Sequence, residues 1–199
     1  MSPGEITVVS TNEATWGDLQ AIFGTSDVSW CMCQRIKIRD KMWSSYSREA
    51  LAERLREQTR CEDPDSPTTT GLVAHLDGEP VGWCAVEPRN AYLRLRYVRT
   101  PWTGRDEDKD DPTVWAITCC ITRAGYRKRG VTYALAAAAV DFARERGAAV
   151  LEGYAMITEP GKEINWSELH VGALGVYEAS GLREVSRPSE RRVVMRIDF

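Results

Sequence analysis

Apolar positions fall into blocks whose period changes along the chain. Residues 114–122 (VWAITCCIT) form an unbroken, β-branched apolar run, the pattern of a buried strand. Residues 133–147 (YALAAAAVDFARERG) switch to helical spacing, with Leu135, Ala138, Ala139 and Phe142 on one face and Gly147 as a C-terminal stop. Between them lies RAGYRKRGVT, the point where strand turns into helix. A second apolar run at 148–155 (AAVLEGYA) predicts another buried strand, and the strand–helix–strand order predicts parallel pairing with the 114–122 run.

The flanking pattern is more varied. Ile6 to Val9 predicts a first strand. Asn12 is a candidate cap for a helix carrying Trp16, Leu19 and Phe23, and Ser47 for a helix through Arg60 with Leu51 and Leu55 inward. CEDPDSPTTT (61–70) predicts a loop. LVAHLD and PVGWCAVE around Asp77-Gly78 predict a hairpin, in which His75 is a sheet-face residue with no assigned role. YLRLRY (92–97) alternates like a half-exposed strand or extended segment, and residues 100–112 form a polar insertion. Near the C-terminus, Val171 to Ser180 predicts a short helix before Gly181. Residues 183–187 and 192–198 predict a closing strand pair. The sum is a single mixed α/β domain over residues 1–199, without repeat or linker.

Composition narrows the class. The chain has 199 residues, 43% hydrophobic and 28% charged, with a formal net charge of -3. Disorder, coiled coil and general nucleic-acid binding are not expected. No apolar run is long enough to cross a bilayer, and MSPGEITVVS lacks a signal peptide's regions. The expectation is a cytoplasmic protein with no nucleic-acid or membrane partner, reduced thiols at all six cysteines, and a homodimer as one possible state. Asn165-Trp166-Ser167 matches a glycosylation acceptor but carries no weight without secretion. Cys31 and Cys33 have C-x-C spacing without an evident second half of a metal site, so core or pocket lining is their expected role and no metal is expected. DEDKDD in the insertion lacks the EF-hand glycine, with Asp111 in its place, and the EF-hand glutamate, with Ile117 in its place. A solvated acidic loop is expected there.

The strand–helix turn carries the chemistry. A helix N-terminus offers N–H groups and the positive end of the dipole, and Arg127, Lys128 and Arg129 beside Gly130 add charge. The readings are a phosphate cradle or a basic surface turn. The dinucleotide glycine fingerprint is absent. Gly125, Gly130 and Thr132 have P-loop spacing, but Val131 stands where the lysine must be.

Residues 127–132 resemble a third motif, that of the GNAT acetyltransferase superfamily: Arg or Gln, two residues, Gly, one residue, then Gly or Ala. Thr132 departs at the last position. His170 to Leu182 is similar to the family's second motif, with Ala173, Tyr177 and Gly181 in place and His170 where Asn is usual. The resemblance covers residues 70–199. It implies a mixed, mostly antiparallel sheet flanked by about four helices, with two central parallel strands splayed to hold acetyl-coenzyme A. The cofactor contacts implied are Arg127, Lys128, Arg129, Gly130, Val131 and Thr132 for pyrophosphate, and Cys120, Ile121 and Thr122 for pantetheine. His170 is a further contact or the base.

The implied reaction is attack of a primary amine on the thioester. A base must first neutralise the ammonium and an acid protonate the thiolate. Tyr177 matches the family's acid, and a phenol pKa of about 10 suits a thiol near 8.5. The alternative is a ring packed against the sheet. No carboxylate stands at Trp115 or Ala116, which leaves Glu152 and Glu87 as base candidates, each also readable as a hydrogen-bonding residue. Cys119 and Cys120 are expected to be inert. Trp30, Trp43, Trp83 and Trp102 are either core or an aromatic pocket for a cationic amine, and an acidic insertion at the mouth would attract one. The acceptor expected is a small-molecule amine or a protein lysine. The competing reading is a coenzyme-binding, regulatory module without turnover.

Overall fold

The central strands follow from the apolar runs. β4 (Val114–Thr122) and β5 (Val150–Met156) are buried along almost their full length. They lie in the middle of a seven-stranded sheet of order β1-β2-β3-β4-β5-β7-β6, with β1 Ile6–Ser10, β2 Leu72–Leu76, β3 Glu79–Pro88, β6 Arg183–Ser189 and β7 Arg192–Asp198. The computed structural model describes residues 4–24, 30–39, 41–158 and 168–199. β4 and β5 run parallel and the other strand pairs antiparallel, as expected for a strand–helix–strand unit.

Helices cover both faces. α4 (Val131–Glu145) carries Leu135, Ala139 and Phe142 onto one face of the sheet. Gly82 of β3 makes that fit possible, since a Cβ there would lie 2.6 Å from Val131 Cγ1. α5 (Leu174–Ala179) adds Val176 and Tyr177 to the same cluster. On the other face, α1 (Trp16–Phe23) and α3 (Arg48–Thr59), with Met32, Cys33 and Ile38 flanking α2 (Gln34–Lys37), build a cluster around Leu19, Leu51, Leu55, Trp83 and Cys119. Successive strand residues point to opposite faces, so Cys119 and Cys120 fall into different clusters.

Three local expectations change. Thr15, not Asn12, caps α1, through a reciprocal capping box with Asp18. The Asn12 amide is buried and donates instead to Asp63 O and Pro64 O. Residues 92–97 are not extended: Leu93–Tyr97 is a 3-10 helix. Its buried residues, Tyr92 and Leu95, are three apart, the 3-10 period. The expected helix from Val171 starts only at Leu174, and Leu169–Val171 forms a separate 3-10 turn. Ser47 caps α3 as expected. The Asn165-Trp166-Ser167 triplet lies outside the described residues.

The feature that positions the site is where β4 and β5 part. They pair only from Val114 with Val150 to Ile117 with Gly153. On the other side of β4, Ala85 pairs with Cys119 and Val86 with Ile117, so Thr118 is skipped. A one-residue bulge bends its strand and increases twist, and this one sits at the last β5 pair. Beyond it, β5 turns to residues 172–173: the Met156 N–H donates to Gly172 O at 2.8 Å, and Met156 bridges Ala173. The 3-10 turn Leu169–Val171 therefore enters the gap between the strands.

Candidate active site

The splay opens a cleft of about 170 Å³ between the end of β4 and the start of α4. Cys120, Ile121 and Thr122 form its strand wall, as expected. Arg127, Lys128, Gly130, Val131 and Thr132 form the turn wall, joined by Tyr133. Leu169 and His170 close it from the inserted turn. Arg129 is the exception: it does not line the cleft, and its guanidinium lies 5.6 Å from the Tyr126 ring. Tyr133 and Leu169 belong to the wall but to no motif position, so the sequence carried no signal for them.

The turn is shaped for an anion. Gly130 is the N-cap of α4 with φ 86°, and Lys128 also has a positive φ of 61°. Alternation of this kind aims successive N–H groups into one concavity. A glycine cap has no side-chain oxygen, and α4 has no side-chain cap bond. Tyr133 and Ala134 N–H donate to Gly130 O, at 3.0 and 3.1 Å, which leaves the N–H groups of Val131 and Thr132 for a ligand. These features fit a coenzyme A pyrophosphate.

A second cleft of about 400 Å³ opens on the far side of the inserted turn. Its walls come from α2 (Arg35, Ile36), the segment 94–101, the bulge residue Thr118, Tyr154 of β5, and Arg192 of β7. Glu168, His170 and Val171 complete it. His170 therefore lines both clefts.

Tyr177 lines neither cleft. It is fully buried behind Cys120, and its hydroxyl donates to Val171 O at 2.7 Å. Gly153 and Gly172 make its room: a Cβ on either would lie within 3 Å of the tyrosine. Burial, and after it the nearby Cys120, pushes the phenol pKa well above its ordinary value. The hydroxyl stays protonated, and in this structure it holds the carbonyl next to His170.

The two carboxylates considered as bases are held elsewhere. Glu152 is fully buried and lines neither cleft. Its Oε2 is 3.2 Å from Arg89 Nη1 and accepts from Tyr154 Oη at 3.3 Å. Its Oε1 accepts from Arg105 and lies 3.5 Å from Arg196 Nη1. Glu87 Oε1 lies 2.5 Å from Lys37 Nζ, also away from both clefts. Neither carboxylate therefore reaches a group bound in either cleft. Glu152 is an ion-pair hub within an otherwise apolar strand.

That hub docks the polar insertion. Glu107 pairs with Arg105 at 2.8 Å and Arg196 at 3.2 Å. Burial would raise the Glu107 carboxyl pKa, but Arg105, then Arg196 and Arg89, outweigh it and hold the carboxyl below its ordinary value. Arg89 donates to Asp108 O at 2.7 Å and stacks 4.8 Å from the Trp102 ring. Asp110 pairs with Arg96. The acids at 106–110 are exposed, as expected of a solvated acidic loop, but the loop is tied to the sheet through Arg89, Arg105 and Arg196, and its acids do not line the second cleft. Of the two readings of the tryptophans, the aromatic pocket is not the one seen at this cleft: Trp83 is core, Trp30 and Trp43 meet edge-on at 6.3 Å, and none of these, nor Trp102, lines it.

Comparison with known proteins agrees with this geometry. The model of the acetyltransferase (GNAT) family matches residues 35–157. The chain belongs to this family. The matched range contains the whole strand–turn–helix cradle and ends before His170 and Tyr177. Solved structures share the fold over nearly the whole chain. An acetyltransferase crystal structure superposes with a TM-score of 0.59 at 17% identity, over 96% of this chain and 98% of its own. A GCN5-related N-acetyltransferase from Kribbella flavida gives 0.54 at 17%, over 98% of each. YncA from Salmonella typhimurium, a putative acetyltransferase solved with its cofactor acetyl-CoA, gives 0.52 at 12%, over 97% and 93%. No curated protein matches the chain. Among the described residues, no helix is long and apolar enough to cross a membrane, and no group of three or more His, Cys, Asp or Glu could hold a metal. All six cysteines are free thiols.

Proposed function

We propose that this GNAT acetyltransferase moves the acetyl group of acetyl-coenzyme A to a primary amine by direct attack, with coenzyme in the first cleft and amine in the second. The observation that carries this reading is that two clefts meet at one residue, His170, where β4 and β5 part. Bound coenzyme supplies an activated thioester. The N–H groups at the start of α4, with Arg127 and Lys128, hold the pyrophosphate. The edge of β4 at Cys120–Thr122 binds the pantetheine arm as an added strand would be bound. Arg129 supports the turn through Tyr126 rather than touching phosphate.

His170 takes the proton from the incoming ammonium, since an imidazole at the junction reaches either side. Tyr177 returns a proton to the departing thiolate, exchanging its bond to Val171 O for that role. The two glutamates do not act as bases.

Two measurements test the reading. Isothermal titration with acetyl-coenzyme A must give saturable binding, and Lys128→Glu must weaken it; unchanged affinity in that variant refutes the cradle. Coenzyme A release is then followed with a panel of amines. His170→Ala should abolish most turnover at preserved coenzyme affinity, with partial rescue by added imidazole. Tyr177→Phe at full turnover would remove Tyr177 from the acid role. Coenzyme binding without turnover of any amine would leave a non-catalytic module.

A further inference from the structure

The charge on the second cleft is opposite to what an amine acceptor alone would ask for. Arg35, Arg94 and Arg192 line it, and Glu168 is the one carboxylate among its described lining residues. Glu168 is itself drawn to a fourth arginine, with Oε2 2.5 Å from Arg191 Nη2. Of the acids of the neighbouring insertion, Asp110 is tied to Arg96 and Glu107 to Arg105 and Arg196, and none of them lines the cleft. The cleft wall is therefore positive at neutral pH.

One of those cations has an unmet need. Arg94 Nη1 is buried and has no hydrogen-bond partner among the described residues. A guanidinium N–H that is removed from water without an acceptor is rare in folded proteins, and a planar guanidinium matches the two oxygens of a carboxylate in a bidentate fork. Arg192 is half-buried, and burial pulls its pKa down, opposed by Glu168. The hydroxyls of Thr118 and Tyr154 add two neutral polar groups to the same wall. At about 400 Å³ the cleft suits a small molecule.

Resting on the two-cleft reading above, we infer that the acceptor is a small amine that also carries a carboxylate, an amino acid in chemical type, with Arg94 and Arg192 holding the carboxylate and His170 facing the amine. The transfer forms an amide N–C bond and breaks the thioester C–S bond. The ammonium gives one proton to His170, the nitrogen loses a second as the amide forms, and the thiolate leaves as the thiol with a proton from Tyr177, which that second proton restores. The arginines do no chemistry. They orient the acceptor so that its amine, rather than its carboxylate, meets the coenzyme cleft.

The experiment has a binding arm and a kinetic arm on the full chain. Titration with acetyl-coenzyme A tests the two-cleft reading by itself; no binding there defeats that reading and this one together. In a preparation that binds coenzyme, thiol release is measured with the free amino acids, with their carboxamides, with spermidine and with a lysine-containing peptide. At least one amino acid should be turned over with kcat/KM more than about tenfold above its carboxamide. Failure of every amino acid, or preference for spermidine, the carboxamide or the peptide, overturns the inference while leaving coenzyme binding intact. Arg94→Gln should raise KM for the amino acid roughly 10- to 100-fold, with kcat, coenzyme affinity and thermal midpoint little changed. Arg94→Lys should recover part of the loss. A KM unmoved in Arg94→Gln, or a fall in kcat alone, refutes the assignment of Arg94 to the carboxylate.

Discussion

Two single residues test the site most directly. Gly130 sits at φ 86°, and a Cβ built there meets only Ile6 Cδ1, at 3.8 Å. Gly130→Ala therefore creates no clash, and its cost is the left-handed backbone alone, about 1–2 kcal/mol. Chemical denaturation should read that loss, and coenzyme affinity should fall as the turn relaxes. A stable variant with full affinity would show that the turn's geometry is not what binds phosphate. Cys31 gives a further test, of a thiol. Burial, with help from Cys33, pushes its thiol pKa up to about 11. A raised thiol pKa keeps the unreactive neutral form to higher pH, so at pH 8 only ~0.1% is thiolate. Iodoacetamide labelling of Cys31, followed by mass spectrometry, should climb about tenfold per pH unit from pH 7 to pH 10. A plateau near pH 9 would mean an ordinary thiol.

At the scale of elements, the inserted turn depends on α5. Tyr177 reaches back from that helix to Val171 O, and Gly172, at φ 91°, lies against the ring. Gly172→Ala would place a Cβ 2.6 Å from Tyr177 Oη and also strain the backbone, a cost of about 2–4 kcal/mol. The turn carrying His170 should shift with it. Turnover should then fall further than coenzyme affinity, and equal losses of both would separate the turn from catalysis. Element types were legible where one period ruled, as in β4, α4 and the Asp77-Gly78 hairpin. They were not legible where two patterns coincide. YLRLRY alternates like a strand, yet Tyr92 and Leu95 are buried at 3-10 spacing. Asn12 has cap chemistry, but Thr15 has both cap chemistry and Asp18 three residues on. Most of the first cleft was readable because its strand and turn walls, 120–122 and 127–132, lie close in sequence. The second cleft was not, because Arg35, Arg94 and Arg192 come from three distant segments that only the folded sheet brings together.

Across the whole molecule, one buried carboxylate joins the insertion to the sheet. Glu152 on β5 meets Arg89 after β3, Arg105 in the insertion and Arg196 on β7. Arg89 and Glu152 are 1% and 0% exposed, so solvent screens this pair little. Glu152→Gln keeps the shape but removes the buried charge, leaving Arg89, Arg105 and Arg196 with only the half-exposed Glu107 as counter-ion. Breaking a buried pair this way costs about 3–5 kcal/mol. Glu107→Gln, at 36% exposure, should cost less than about 1 kcal/mol. Urea denaturation should show that ordering in the midpoints. The functional consequence is one-sided. Val98, Thr100 and Pro101, which wall the second cleft, belong to or adjoin the insertion, whereas the coenzyme cleft takes no residue from it. Loosening the insertion in Glu152→Gln should raise KM for the acceptor while the Kd for acetyl-coenzyme A stays near its original value. A parallel loss of both would mean that the hub supports the sheet as a whole, and an unchanged midpoint would mean that the ion pairs contribute nothing net to the fold.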